Sequence, residues 1–178
     1  MVMRHFSRTL RVRSNPLVLA AALALGVVGV PTAIYAASQG NADAREAFAN
    51  AEKFRALRDV RSARIELMNA IKADPQWIDA RVAQAEVLLG LYDGIAAEAE
   101  LDHALELGLD PAAVRHLYGH ALLLQGKAQK ALDQLQADDI PAEHQGYAAR
   151  ILGKVALQLG DDPLASRSFN RAMELDRR

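Results

Sequence analysis

From residue 44 onward, small apolar residues return at a fixed distance and larger ones fall between them. Gly153, Gly160, Ala165, Phe169 and Ala172 mark the last stretch. A shift back of about 34 residues meets Gly119, Gly126, Ala131, Leu135 and Asp138. A second shift meets Ala85, Tyr92, Ala97, Leu101 and Ala104, and a third meets Ala51, Arg58, Ala63, Leu67 and Ala70. Small residues at such positions let two helices approach closely, and the larger residues fill the space between them. One helix pair cannot bury its own apolar face, so neighbouring pairs must stack. The pattern therefore predicts paired helices over 43–57, 60–73, 76–90, 93–107, 112–125, 127–137, 142–159 and 162–175. Asp74-Pro75, Asp110-Pro111 and Asp162-Pro163 each offer an N-cap followed by a first-turn proline. Gly126 and Gly160 fit helix C-termini.

These residues and their period resemble the tetratricopeptide repeat (TPR). That pattern has a large residue at position 4, leucine at 7, glycine or alanine at 8, and an apolar residue at 11. Alanine follows at 20, an aromatic or leucine at 24, alanine at 27 and proline at 32. Four repeats lie in phase, at 44–77, 78–111, 112–145 and 146–178. Ala51, Phe54, Ala63, Leu67, Ala70 and Pro75 carry the first, and Ala85, Leu88, Ala97, Leu101, Ala104 and Pro111 the second. Gly119, Leu122, Ala131 and Leu135 carry the third, and Leu152, Gly153, Ala165, Phe169 and Ala172 the fourth. Position 4 departs throughout, being Ala47, Arg81, Arg115 and Ala149, and position 7 is polar at Asn50 and Gln84. The resemblance implies an all-α, right-handed solenoid that binds other proteins.

Composition agrees with helices. Hydrophobic residues make up 51% of the chain but aromatics only 5%, so alanine and leucine supply the apolar content. Cysteine is absent, which excludes disulfides, thiol catalysis and thiolate metal sites.

The formal charge of −1 hides an uneven distribution. Residues 1–36 hold Arg4, Arg8, Arg11 and Arg13 and no acid, so the remainder is net acidic and a poor partner for nucleic acid. Behind that basic head, Leu17 to Val30 is an apolar run, broken by Pro31 and followed by Ala33, Ala36, Ala37 and Ser38. Residues 1–37 read either as a cleaved secretory signal or as an uncleaved inner-membrane anchor, with a buried helix of a cytosolic fold as the plainer alternative to both. Leu17 to Ala37, about 21 residues, is long enough to span a bilayer, with the arginines left in the cytoplasm. Signal and anchor alike place the repeats in the periplasm. Residues 38–43 read as a linker.

No glycine-rich phosphate loop, Gly-x-Ser-x-Gly or His-Glu-x-x-His is present, so neither an enzyme nor a cofactor site is expected. His116 and His120, four residues apart on one helix face, have a spacing that suits a metal, with Glu86 as a conceivable third ligand. The competing reading is a groove lined by two histidines, with no metal.

In TPR proteins the first helix of each repeat lines a concave groove. Carried over position by position, that resemblance implies a partner groove of Phe48, Glu52, Val82, Glu86, His116, His120, Tyr147, Arg150 and Lys154. Arg45, Arg55, Asp79, Leu89, Leu123, Leu124, Leu157 and Gln158 stand at further groove positions. The charges run from acidic (Glu52, Glu86) through histidine to basic (Arg150, Lys154), which would orient an extended peptide. Some co-chaperone TPR domains clamp a carboxylate with lysine and asparagine where this chain has Phe48 and Glu52, so that clamp is not carried over. The last helix keeps Leu164, Phe169 and Met173, and its outer flank is a candidate surface for a partner or a second copy.

The basic head, export segment and alanine-rich repeats are together similar to the start of the large TPR proteins of bacterial exopolysaccharide and PEP-CTERM/exosortase systems. That likeness implies a scaffold or adaptor of the cell envelope, or a structural tether docking through its C-terminal end.

Overall fold

The computed structural model describes residues 41–177. The predicted export segment, residues 1–37, lies outside them. Among the described residues there are eight α-helices and no strand, so the all-α expectation holds. They are α1 (Ala42–Ala56), α2 (Val60–Ala73), α3 (Ile78–Gly90), α4 (Gly94–Glu106), α5 (Pro111–Leu124), α6 (Ala128–Leu135), α7 (Gln145–Leu159) and α8 (Asp162–Leu175). A 3-10 turn, Ala142–His144, precedes α7. No described helix is long and apolar enough to cross a membrane.

The turns inside the helix pairs repeat with the sequence. Arg58, Tyr92, Gly126 and Gly160 all have positive φ, at 58°, 61°, 75° and 75°. Each is followed by a residue whose amide reaches back to a carbonyl of the preceding helix. Asp59 bonds Phe54, Asp93 bonds Leu88, Lys127 bonds Leu122 and Asp161 bonds Ala156, at 2.9 Å in every case. This closure satisfies carbonyls that the ending helix leaves open. Three of the four residues then cap the next helix. The Asp59, Asp93 and Asp161 carboxylates accept the amides of Ser62, Ala96 and Leu164.

The helices interlock through the small positions. Ala51, Ala63, Leu67, Ala70, Ala85, Ala97, Leu101 and Ala104 are fully buried. Glycine replaces alanine where approach is closest. A Cβ on Gly119 would lie 2.5 Å from Leu135, and one on Gly153 would lie 2.6 Å from the Phe169 ring. Burying a leucine such as Leu67 or Leu101 contributes about 2 kcal/mol.

The arginines at position 4 do the work of the missing large residue by reaching to the second helix of their own pair. Arg81 pairs with Glu100 at 2.9 Å, and Arg115 bonds Gln134 at 3.1 Å. Trp77 is buried and packs on Phe48, ring centroids 4.7 Å apart.

Four local expectations are corrected. Asp74 does not open a helix. It ends α2, and its carboxylate accepts the Gln76 amide, so α3 begins at Ile78 rather than 76. The cap of α8 is Asp161, because Asp162 is already helical. α6 stops at Leu135 rather than 137, and Ile140, beyond its end, is buried in the same cluster as Leu135 and Ala148. Asn41, read as linker, caps α1 by accepting the Ala44 amide, and Ala42 and Asp43 are helical.

Candidate functional site

α1, α3 and α5 are the first helices of successive pairs, and together they line a groove of about 460 Å³. Phe48, Glu52 and Arg55 come from α1, Asp79, Val82 and Glu86 from α3, and Val114, His116 and Leu117 from α5. Helical spacing explains the alignment, because residues three and four apart share a face. Of the groove residues read from sequence, Phe48, Glu52, Val82, Glu86 and His116 thus meet around one space. His120, Tyr147, Arg150 and Lys154 form a neighbouring set on α5 and α7. Leu89 is corrected: it is buried in the core among Leu88, Leu101 and Leu117.

Four aromatic rings join the two sets. The His116 ring stacks on His144, with centroids 3.9 Å apart. Tyr147 stands edge-on to both His116 and His120, at 5.5 and 5.8 Å. Its hydroxyl lies 2.5 Å from His120 Nδ1. Phenol is the stronger acid, so the hydroxyl donates and the neutral imidazole accepts. Burial, and then the neighbouring His144, push His116 down to about 4. Burial, and then Lys154, do the same for His120. Burial raises Tyr147 to about 12, helped by the Glu86 carboxylate. All three are neutral at neutral pH.

The expected charge gradient is consequently blunted. The Arg55 guanidinium bridges Glu52, at 2.7 Å, and Glu86. Arg150 pairs with Asp176 at 3.2 Å and lies over the Tyr147 ring. The histidines between carry no charge. Of Arg55, Arg150 and Lys154, only Lys154 has no carboxylate within ion-pair distance among the described residues.

One polar atom on the groove wall is unanswered. His116 is 4% exposed, and its Nδ1 has no hydrogen-bond partner among the described residues. An unmet buried nitrogen costs about 1–3 kcal/mol. The metal reading finds less support. His120 is engaged by Tyr147, Glu86 by Arg55, and no group of three histidine, aspartate or glutamate residues converges among the described residues. His144 escaped the sequence reading because it lies in the junction before α7, where the repeat assigns no position. Its spacing from His116 gives no signal.

No protein-family model matches the chain. Tetratricopeptide repeat protein 6 of Homo sapiens is 30% identical over 111 residues, covering 60% of this chain. The chain spans only 21% of that relative. Among solved structures, a MamA double mutant superposes with a TM-score of 0.60 at 22% identity, covering 76% of each chain. Pseudomonas aeruginosa pilF gives a TM-score of 0.60 at 24% identity, covering 76% of this chain and 62% of that one. The 34-residue period of the turns, the small-to-large interlock and these similarities agree: residues 42–175 have the tetratricopeptide-repeat fold.

Proposed function

We propose that this chain is a non-enzymatic scaffold or adaptor that docks a peptide or helix of a partner protein in the groove of α1, α3 and α5. The convergence of apolar and acidic side chains from three successive first helices on one concavity is the observation that carries this reading. There, Phe48, Val82, Val114 and Leu117 offer an apolar floor. Glu52, Glu86 and Asp79 outnumber Arg55, which favours a peptide with an apolar anchor beside a basic group. The free ammonium of Lys154 favours the acidic end of such a peptide lying toward α7. Export rests on the sequence of residues 1–37, which supports a periplasmic array that is either released or anchored. A role in exopolysaccharide assembly rests on sequence style alone.

A photoreactive residue at Asp79, exposed at the groove, tests the docking reading in living cells. Crosslinking to a defined partner segment there, abolished by Val82→Arg, is the expected result. Capture only from Met173 would overturn it in favour of the tether reading. That second reading has its own observation: Leu157, Leu159 and Met173 are exposed at the last helix pair. Once a partner is identified, Lys154→Glu tests the orientation. Unchanged affinity would remove it.

A further inference from the structure

A second cleft, of about 490 Å³, shares no residue with the groove. It is lined by Arg61, Arg64, Ile65 and Met68 of α2 and by Leu91 and Asp93 of the turn between α3 and α4. Single exposed apolar side chains are ordinary on a protein surface. Here, however, Ile65 and Met68 stand one helical turn apart at 59% and 53% exposure, and both face one concavity. Asp93 caps α4 through one oxygen, which accepts the Ala96 amide, and it is a single carboxylate against two arginines. Neither Arg61 nor Arg64 forms an ion pair among the described residues. The next second helix, α4, is acidic instead, carrying Glu98, Glu100, Asp102 and Glu106. Solubility alone does not ask for two unpaired arginines flanking two exposed apolar side chains.

We propose that this cleft docks an acidic amphipathic segment of a partner protein. An apolar side chain seats between Ile65, Met68 and Leu91, and flanking carboxylates pair with Arg61 and Arg64. Guanidinium groups suit this role because their planar donors match a carboxylate two bonds at a time. Concavity favours a peptide over a lipid surface, because a bilayer is flat at this scale whereas the cleft accepts a side chain. The site is separate from the groove, so the chain would hold two partners, or two segments of one, at once.

The test uses the full chain and a fluorescent helical peptide of glutamate, leucine and alanine. Two control peptides replace the glutamates by lysine or the leucines by serine. The acidic apolar peptide is expected to bind saturably, and both controls to bind more weakly. Arg61→Glu/Arg64→Glu should weaken it by roughly ten-fold or more. Ile65→Ser/Met68→Ser should weaken it similarly, while Arg167→Glu on distant α8 changes nothing. Circular dichroism melts confirm that each variant is folded. Equal binding of all three peptides, or binding indifferent to the α2 variants, overturns the proposal. So does preferential binding to phosphatidylglycerol vesicles that depends on the same arginines, which makes the surface a lipid site. Self-association lost in the Ile65→Ser/Met68→Ser variant would assign the cleft to a second copy instead. Val82→Arg in the groove leaves this binding intact, so failure here is distinct from failure of the docking reading above.

Discussion

The ring of Phe169 occupies the space that a side chain on Gly153 would need, with a built Cβ only 2.6 Å from the ring. The two residues meet across the last helix pair, as Ala85 and Leu101 meet inside the second. Glycine faces phenylalanine here and leucine at Gly119–Leu135, whereas alanine stands at the same position in the second pair. Gly153→Ala is expected to lower stability by about 1–3 kcal/mol. Adding Phe169→Leu should recover part of that loss, because it recreates the alanine–leucine pairing. Chemical denaturation of both single variants and the double variant checks this, and simple additivity would contradict the size-matching account.

Arg58 and Tyr92 hold the left-handed turn conformation that Gly126 and Gly160 occupy in the later repeats. A side chain there is strained by about 1 kcal/mol or more, whereas glycine is not. Arg58→Gly and Tyr92→Gly are each expected to stabilise the fold by about 0.5 kcal/mol, after allowing for the greater freedom glycine gives the unfolded chain. A rise in Tm for both variants is the readout; a fall in both would mean that the side chains make contacts outweighing the strain.

Stability should decline with acid before the carboxylates titrate. The folded values of His116 and His120 are about 4, below the ordinary 6.5, so the unfolded state binds these protons first. Stability from this source is complete above about 6.5 and is lost progressively as pH falls toward 4. His116 contributes no more than about 3 kcal/mol. The groups that face the two rings are His144, Tyr147 and Lys154. Urea midpoints for the parent and for His116→Gln/His120→Gln, measured at neutral pH and near pH 5, decide it. The parent should lose stability over that interval, and the double variant should lose much less.

Arg55 masks the acidic side of the groove by bridging Glu52 and Glu86. Arg55→Met keeps much of the stem while releasing both carboxylates. Because the pairs are partly exposed, stability should change by no more than about 1 kcal/mol. Affinity for a lysine-containing apolar peptide should rise several-fold, an increase that disappears at high salt. Titration calorimetry at two ionic strengths reads both effects.

The repeat made much of this fold legible. Ala51, Ala85, Gly119 and Gly153 announce themselves as contact points because each must be small for two helices to meet. The turn at Arg58, Tyr92, Gly126 and Gly160 is visible as a column, although only the last two advertise it by composition. Where the column breaks, local rules misled. Asp74-Pro75 has the look of a helix start, yet the Asp74 carboxylate is taken by the Gln76 amide. Asp138 breaks the spacing, and the burial of Ile140 beyond it appears only in the structure.

The sequence by itself determined which faces of the helices are buried, because periodicity and side-chain size are properties of single positions, while the choice of groove helices came from the resemblance to the repeat family. Charge at the site was decided by tertiary structure. Glu52 and Glu86 are acidic in sequence, but Arg55 lies between them only after α1 and α3 have packed. His116 and His120 are titratable at neutral pH in the open chain. They become neutral partners of His144 and Tyr147 only when burial and contacts many residues away raise the cost of holding a proton.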